Sequence, residues 1–351
     1  MSRSDLIDGL TVRLIGAPMA GGPSTPALAA AVSGAGGLGM LAAGYRTADD
    51  VQAQIEATAR LTTAPGGVNV FVPEVPVVDA AALAAFGTRL RPWAERLGLP
   101  EPAAAAPDLV AERREASAIV DVCTDMQIPL VTFTFGLPEA DWVHRLRDAG
   151  REVGITVSGP EEAAQALALE PDVLIVQGPE AGGHRGTLVQ ERAGDPRPVA
   201  ELIVDVRAMV GRAAKAPALV AAGGAVSRRQ VQDLLRDADA VQIGTALLAT
   251  PEAGTRAEHR DVLLRAAADS DSGHATSVTR VFTGRRARAL RNAAIDALTD
   301  VELTAYPHVH LMTAGLRRAE TDPQWLHLWA GTGHRSVREA PAAQIIAELA
   351  P

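Results

Sequence analysis

Residues 171–186 read PDVLIVQGPEAGGHRG, an apolar run followed at once by a polar stretch rich in glycine. Residues 173–176 have the length and the apolar character of a strand that is buried on both faces of a sheet. A simple connection from a strand to a helix needs only one or two turn residues. Gln177, Glu180 and His184 among clustered glycines therefore predict that the end of this strand forms a site.

Seven more apolar runs have this form, and amphipathic segments with helical periodicity separate most of them. The eight predicted strands are 12–17, 39–43, 68–72, 130–135, 152–157, 173–176, 218–222 and 240–244. Helices are predicted at 48–61, 138–149, 160–169 and 227–237, where Pro160 suits a first helical position and Ser227 an N-cap. Apolar strands that alternate with helices indicate a parallel sheet covered on both faces.

Eight such units in about 250 residues predict an α/β fold, a closed (β/α)8 TIM barrel. A doubly wound open sheet is the alternative. We assign 1–250 to the barrel, completed by 325–351. We expect 251–324 to form a smaller helical second domain, inserted near the C-terminus, that contributes to the substrate pocket and contains no strand. The Pro/Ala-rich segment 87–112 is predicted to be a surface loop plus a helix.

The composition is that of an ordinary globular protein, with 47% hydrophobic residues and a net charge of −9. No basic run occurs and aromatics make up only 3%, so no nucleic-acid partner is expected. Cys123 is the only cysteine, which excludes an intramolecular disulfide, and we expect it to be buried in a helix. The start MSRSDLIDGL has no apolar signal segment. We expect a cytoplasmic monomer or homodimer without a membrane partner.

The carboxyl ends of the strands carry the predicted cofactor site, because function collects at this face of a barrel. Glycines there allow a ligand to approach the backbone, and amides before a helix bind phosphate. Neutral side-chain amides suit a flat polar ring, and a methionine thioether can pack on it. Flavin mononucleotide (FMN) fits this combination. The predicted cofactor-binding residues are Pro18, Met19, Ala20, Asn69, Gln177, Gly182, Gly183, Ala222, Gly223, Gly224, Gln242, Ile243, Gly244 and Thr245.

Residues 34–39, GAGGLG, match the formal pattern GxGxxG. The dinucleotide-binding fingerprint requires a strand before the glycines and a helix after them. Here the predicted order is reversed, because a helix at 26–32 precedes and the second strand follows. We interpret this stretch as the end of a helix and a turn.

His184 is the predicted catalytic residue, since histidine is a base near neutral pH and its flanking glycines leave room for a cofactor. Lys215 precedes the seventh strand, at the opposite face, which excludes a Schiff-base lysine in the site. His308 and His310 have no third ligand at matching spacing. Residues 269–274 lack the terminal glutamate of a calcium loop. We therefore predict no metal site.

Several stretches together resemble one known family. They are APMAGGPSTPALAAAVSGAGGLGML (17–41), NVFVP (69–73), QGPEAGGHRG (177–186), AAGGAVS (221–227), AVQIGTALLATPEA (240–253), FTGRRARALRN (282–292) and LWAGTGHRSVREAPAAQIIAEL (328–349). They look like the nitronate monooxygenases, formerly called 2-nitropropane dioxygenases, and specifically the larger bacterial class. The resemblance spans nearly the whole chain.

The resemblance implies an FMN-dependent enzyme that oxidises alkyl nitronates or nitroalkanes with O2, through a flavin semiquinone, to a carbonyl compound plus nitrite or nitrate. His184 would remove the α-proton of a nitroalkane, and protonated His184 would help to bind a preformed nitronate such as propionate 3-nitronate. Quinone reductases and enoyl-thioester reductases that use NAD(P)H share this barrel and flavin, and they are the alternative. A flavin-binding protein without catalytic activity is a third possibility.

Overall fold

The central element of the structure is a parallel sheet of eight strands that closes on itself. The computed structural model describes residues 4–74, 78–103, 106–211, 216–268 and 275–351. Within these residues the strands are β1 (Leu14–Gly16), β2 (Gly39–Ala42), β3 (Gly66–Phe71), β4 (Leu130–Thr134), β5 (Glu152–Val157), β6 (Val173–Gln177), β7 (Gly183–His184), β8 (Ala218–Ala222), β9 (Ala240–Ile243), β10 (Thr276–Thr279) and β11 (Ala287–Leu290).

The strand order identifies the closed barrel. The eight strands neighbour one another in the order β1-β9-β8-β6-β5-β4-β3-β2, and all the pairings are parallel. A further parallel bridge between Ile15 and Leu38 joins the two ends of this series. The eight strands predicted from the sequence are these eight, so the (β/α)8 TIM barrel is confirmed and the open doubly wound sheet is wrong.

The helices follow the predicted pattern and begin at the expected caps. They are α1 (Asp5–Asp8), α2 (Pro26–Gly34), α3 (Ala48–Ala59), α4 (Ala80–Arg96), α5 (Leu109–Asp125), α6 (Ala140–Asp148), α7 (Pro160–Ala166), α8 (Val199–Val210), α9 (Arg228–Leu234), α10 (Ala257–Ala268), α11 (Ala293–Leu298), α12 (His308–Ala319) and α13 (Ala342–Leu349). Ser227 caps α9 by accepting from Gln230 N, and Pro160 opens α7. Cys123 is buried in α5, as predicted.

Two layers of apolar side chains stabilise the barrel. Its interior is filled from several strands by residues such as Ile15, Met40 and Ile175, and Ile7 of the short helix α1 joins the same cluster. The outer faces of the strands pack against the helices. In this outer layer Ile345 and Ile346 of α13 belong to the same cluster as Leu28 of α2, so the C-terminal segment returns to the barrel wall.

The segment between β9 and residue 324 differs from the sequence prediction in one respect. Helices α10, α11 and α12 lie there as expected, but the expectation of no strand is wrong, because β10 and β11 form an antiparallel pair. Strand β11 also pairs with β7, so that Ala287 faces His184. The sequence ARAL in β11 favours a helix by propensity. Hydrogen bonding to two neighbouring strands outweighs that local preference.

The Pro/Ala-rich segment has the predicted helix and a largely exposed connection after it, but the helix also supplies core residues. Helix α4 buries Phe86, Leu90 and Trp93 in a cluster with Phe282 and Met312. The indole Nε1 of Trp93 donates to Glu320 Oε2 at 2.7 Å. Helix α4 therefore contributes core residues to the body formed by α11, α12 and β11, which the sequence could not show because these elements are about two hundred residues apart.

The glycine-rich stretch 34–39 has the structure that was predicted for it. Helix α2 ends at Gly34 and β2 begins at Gly39, so the glycines connect a helix to a strand. Lys215 and residues 269–274, which the sequence analysis also interpreted, lie outside the described residues. Among the described helices none is long and apolar enough to span a membrane.

Replacing Trp93 with alanine tests whether α4 is part of the core. The change removes a fully buried indole, so we expect the free energy of unfolding to fall by about 3–5 kcal/mol. The measurement is urea-induced unfolding followed by circular dichroism. Leu61→Ala at an exposed position is the control and should change stability by less than about 0.5 kcal/mol. Equal effects for the two variants would contradict the buried position of α4.

Candidate active site

A large cavity lies at the carboxyl ends of the barrel strands. It has a volume of about 760 Å3. All fifteen residues that the sequence analysis selected for the site line it: Pro18, Met19, Ala20, Asn69, Gln177, Gly182, Gly183, His184, Ala222, Gly223, Gly224, Gln242, Ile243, Gly244 and Thr245. Residues from strands far apart in the sequence meet here because parallel strands place their carboxyl ends at one face.

Another part of the cavity wall is formed by residues that the sequence analysis did not select for the site. They are Tyr45, His259, Thr283, Arg317, His327 and Trp329, together with His310, which was considered only as a metal ligand. His310 and Arg317 both lie on α12, about two helical turns apart, on the face toward the cavity. Such spacing is common in helices that only pack, so the sequence pattern alone could not assign this wall.

Two glycines show why this residue type is required around the cavity. A Cβ on Gly182 would lie 2.5 Å from the backbone N of Gly331, so the loop after β6 touches the C-terminal segment directly. Gly224 has φ +74°, a left-handed conformation that side chains other than glycine rarely adopt. Both positions shape the backbone wall of the cavity.

The three amide side chains at the strand ends differ in which of their polar atoms lack a hydrogen-bond partner. Asn69 Nδ2 donates to Thr132 Oγ1 and Thr134 Oγ1, each at 2.9 Å, and its Oδ1 has no partner among the described residues. Gln242 makes no side-chain hydrogen bond to those residues either. Gln177 has a partner for each of its polar atoms, because its Nε2 donates to the His184 carbonyl at 3.0 Å and its Oε1 accepts from Gly186 N at 2.7 Å.

His184 is held at the cavity wall from both sides. Its backbone belongs to β7 and pairs with Ala287, while Gln177 binds the same segment from the barrel. Its ring packs edge-on against Phe135, with centroids 5.6 Å apart, and lies 5.4 Å from the Trp329 ring. His184 is half-buried. The backbone pairing and the aromatic neighbours fix the orientation of its ring.

The hydrogen bonds of His184 indicate which ring nitrogen is available. Nε2 lies 2.9 Å from Thr283 Oγ1, and that hydroxyl lies 3.3 Å from the Arg285 carbonyl oxygen, which can only accept. The direction of the hydrogen bond between Nε2 and Thr283 depends on which ring nitrogen carries the hydrogen. Nδ1 has no hydrogen-bond partner among the described residues, so it is the ring nitrogen available to a ligand.

The electrostatic surroundings keep His184 neutral. Burial, and then the positive charges of Arg285 and Arg317, lower the pKa of His184 to about 3. Its imidazole is therefore uncharged at pH 7 and has a lone pair available for a proton. That protonated His184 helps to bind a preformed nitronate stays a prediction.

Arg285 lies behind His184 and is a paired cation. Its side chain is fully buried, and Nη1 donates to Glu74 Oε2 at 2.7 Å. The guanidinium carbon lies 4.1 Å from the centre of the Phe135 ring, and Nη2 donates to the Thr187 carbonyl. With a carboxylate, a carbonyl and an aromatic face as partners, Arg285 has a structural role.

Metal coordination has no candidate in the part of the chain that the structure describes. There, no group of three or more His, Cys, Asp and Glu side chains is placed to hold an ion. His310 Nδ1 already lies 3.1 Å from Arg317 Nη2. The donors at the cavity are amides, hydroxyls and backbone groups, a set that suits an organic ligand.

Fold and site define a (β/α)8-barrel enzyme whose active-site cavity opens at the carboxyl ends of the strands. The nitronate monooxygenase family model matches residues 3–351, and the chain belongs to that family. A probable nitronate monooxygenase of Staphylococcus saprophyticus is 32% identical over 338 residues, covering 95% of this chain and 92% of the relative. One of Bacillus subtilis is 33% identical over 341 residues, covering 94% and 92%. The protein is thus an oxidoreductase.

Solved structures show the same fold. The nitroalkane oxidase of Streptomyces ansochromogenes has a TM-score of 0.88 and 38% identity, over 99% of this chain and 96% of its own. FabK from Thermotoga maritima has a TM-score of 0.72 and 26% identity, over 99% and 95%. Both structures match this chain over the barrel and the inserted segment.

Lowering the pH should destabilise the protein, because burial keeps some of its histidines uncharged in the folded state. His259 is the residue at which we test this. Burial lowers the pKa of His259 to about 4, whereas an unfolded histidine titrates near about 6.5. Stability from the neutral ring is therefore complete above about pH 6.5 and is lost as pH falls toward 4. Between pH 7 and pH 5, His259→Gln should lose about 2 kcal/mol less stability than the wild type.

The measurement is urea unfolding of both proteins at the two pH values. His144→Gln, at an exposed position of α6, is the matched control and should show the wild-type pH dependence. If His259→Gln also kept that dependence, His259 would be charged in the folded protein.

Proposed function

We propose that this protein is an FMN-dependent nitronate monooxygenase. It would oxidise alkyl nitronates or nitroalkanes with O2 to a carbonyl compound plus nitrite or nitrate. The observation that carries the proposal is the neutral ring of His184 at the wall of a cavity lined by glycines and free amides, in a chain that belongs to this family from end to end.

The residues present fit FMN. The backbone at Gly223 and Gly224 and at Gly244 and Thr245 would hold the phosphate, because these residues lie at the ends of β8 and β9 and line the cavity together. The unpartnered Oδ1 of Asn69 and the free amide of Gln242 would bind polar edges of the ring system, with Met19 packing nearby. Bound FMN would supply the electron transfer between substrate and O2.

The protein's own chemical step would be a proton transfer by His184. With a neutral nitroalkane, Nδ1 of His184 takes the α-proton, the C–H bond breaks, and its electron pair moves into the nitro group to form the nitronate. Thr283 would hold the opposite nitrogen and so keep the ring in place. A preformed nitronate needs no such step, because the proton has already left.

The inserted segment 251–324 would complete the substrate pocket. It contributes His259, Thr283, His310 and Arg317 to the cavity wall, opposite the strand ends. We treat it, with the barrel 1–250 and 325–351, as the second domain of a two-domain enzyme. We expect the enzyme to act in the cytoplasm as a monomer or homodimer.

A second candidate function is reduction of quinones or enoyl thioesters by NAD(P)H on the same flavin. Its support is the likeness to FabK, at 26% identity over nearly the whole chain. The two functions differ in what reduces the flavin. Rapid bleaching of the flavin by NAD(P)H without any nitro compound would favour the reductase.

The deciding experiment is O2 consumption by the purified, FMN-loaded protein with propionate 3-nitronate. We expect rapid uptake that catalase and superoxide dismutase do not suppress, because oxidation within the active site releases no free oxygen radicals. Loading with riboflavin, which lacks the phosphate, is the control for the cofactor and should give little flavin binding. No O2 uptake despite bound FMN would contradict the proposal.

His184→Asn should separate the two substrate types. We expect turnover of 1-nitropropane to fall by about a hundredfold or more, since general-base catalysis contributes that much. Turnover of the corresponding preformed nitronate should stay within about tenfold of wild type, because it needs no base. His144→Asn is the matched exposed control. Equal losses on both substrates would show that His184 is not the base.

A further inference from the structure

Arg317 is a buried cation without a carboxylate partner at the cavity. Its side chain is buried and lines the cavity, and no acidic side chain pairs with it among the described residues. Its Nε donates to Thr313 Oγ1 at 3.1 Å, and its Nη2 contacts His310 Nδ1 at 3.1 Å. Nη1 has no hydrogen-bond partner among those residues. A desolvated charge in this state is costly unless a ligand completes its pairing.

The neighbours of Arg317 cannot neutralise it at neutral pH. Burial lowers its pKa only to about 10, so the guanidinium stays charged. Burial raises the pKa of Tyr306, and a phenol such as that of Tyr45 ordinarily ionises near about pH 10. Burial and the Arg317 charge lower the pKa of His310 to about 3, so that ring is neutral. The Arg317 guanidinium therefore stays charged among these neutral neighbours.

Acidic groups elsewhere around the site already have other partners. Glu180 is the one carboxylate among the described cavity-lining residues, and its oxygens accept from Val199 N at 3.2 and 3.3 Å. Glu320, near the end of the same helix as Arg317, bonds Arg96 and the Trp93 indole. By contrast, Arg285 has Glu74. Of the two buried arginines beside His184, only Arg317 lines the cavity, so its free Nη1 is the donor that a ligand there can reach.

The position of Arg317 is fixed before a ligand arrives. Thr313 and His310 hold its guanidinium from the same helix, one and two turns away. His310 is itself stacked on Tyr45, with ring centroids 4.2 Å apart and an interplanar angle of 5°. Arg256 Nη1 donates to the Arg317 carbonyl at 2.8 Å. A guanidinium with fixed orientation binds planar two-oxygen anions well.

We propose that Arg317 binds the anionic two-oxygen group of the substrate and so gives the enzyme its preference for nitronate anions over neutral nitroalkanes. This rests on the proposed function for the identity of the substrate. Nitronate and carboxylate groups share the planar two-oxygen form, and either could pair with Nη1. Arg317 would thereby supply a charged partner for the anion at neutral pH.

The test compares Arg317→Met with wild type on three substrates: 1-nitropropane, its nitronate, and propionate 3-nitronate. We expect KM for the nitronates to rise about tenfold to a hundredfold, the usual range for a lost charged hydrogen bond. KM for neutral 1-nitropropane should change less than about threefold. Equal rises for both nitronates would assign Arg317 to the nitronate group, whereas a rise for propionate 3-nitronate alone would assign it to the carboxylate and overturn the proposed preference.

Two further variants separate this role from support of the fold. Arg317→Lys keeps the charge and should recover part of the lost nitronate affinity. Arg229→Met, at an exposed position of α9 that does not line the cavity, should leave all three KM values unchanged. The melting temperature of Arg317→Met should not fall by more than about 2 °C, because an unpaired buried charge is removed. A large fall with equal losses on every substrate would show a structural residue and overturn the proposal.

Binding of nitrite to the FMN-loaded protein, followed by calorimetry, gives a readout that does not depend on turnover. We expect Arg317→Met to bind nitrite at least about tenfold more weakly than wild type. Loss of nitrite binding in the variant, together with no turnover of any nitro compound by wild type, would reject the proposed function but keep the anion site. Unchanged nitrite binding would reject the site itself.

Discussion

The pairing of β7 with β11 is the interaction on which the active site depends. Two residues, Gly183 and His184, leave the barrel after β6 and add to the edge of an antiparallel pair from the inserted segment. Gln177, at the end of β6, holds the same residues from the barrel side. The catalytic candidate thus lies at the junction of two bodies, and its position requires both. A barrel without the insertion would leave this loop with half of its hydrogen bonds.

The two buried arginines near that junction differ in their partners. Arg285 has a carboxylate, a carbonyl and an aromatic face as partners, while Arg317 has only neutral groups. Both cations, with burial, keep His184 unprotonated at neutral pH. The same charges that make His184 a neutral base also make the cavity attractive to anions. Base and anion site therefore result from one electrostatic arrangement.

The inserted segment is stabilised by a core that it shares with α4. Helix α4, from the connection between β3 and β4, packs with α11 and α12 around Phe282, and the buried Glu320 links α12 to α4. The cavity wall formed by α12 is therefore anchored to elements at some distance from the barrel. Such anchoring keeps His310 and Arg317 in place, because helices position side chains more firmly than loops do.

The sequence by itself determined the barrel, because each β/α unit is specified by local apolar periodicity and turn residues. It also located the strand-end residues, since a parallel barrel places every strand's carboxyl end at one face. It did not reveal β10 and β11, the burial of α4, or the Tyr45, His310 and Arg317 wall. Those features arise from contacts between residues far apart in the chain. Likewise, the pKa of His184 depends on burial and on two distant arginines, which only the tertiary structure brings near it.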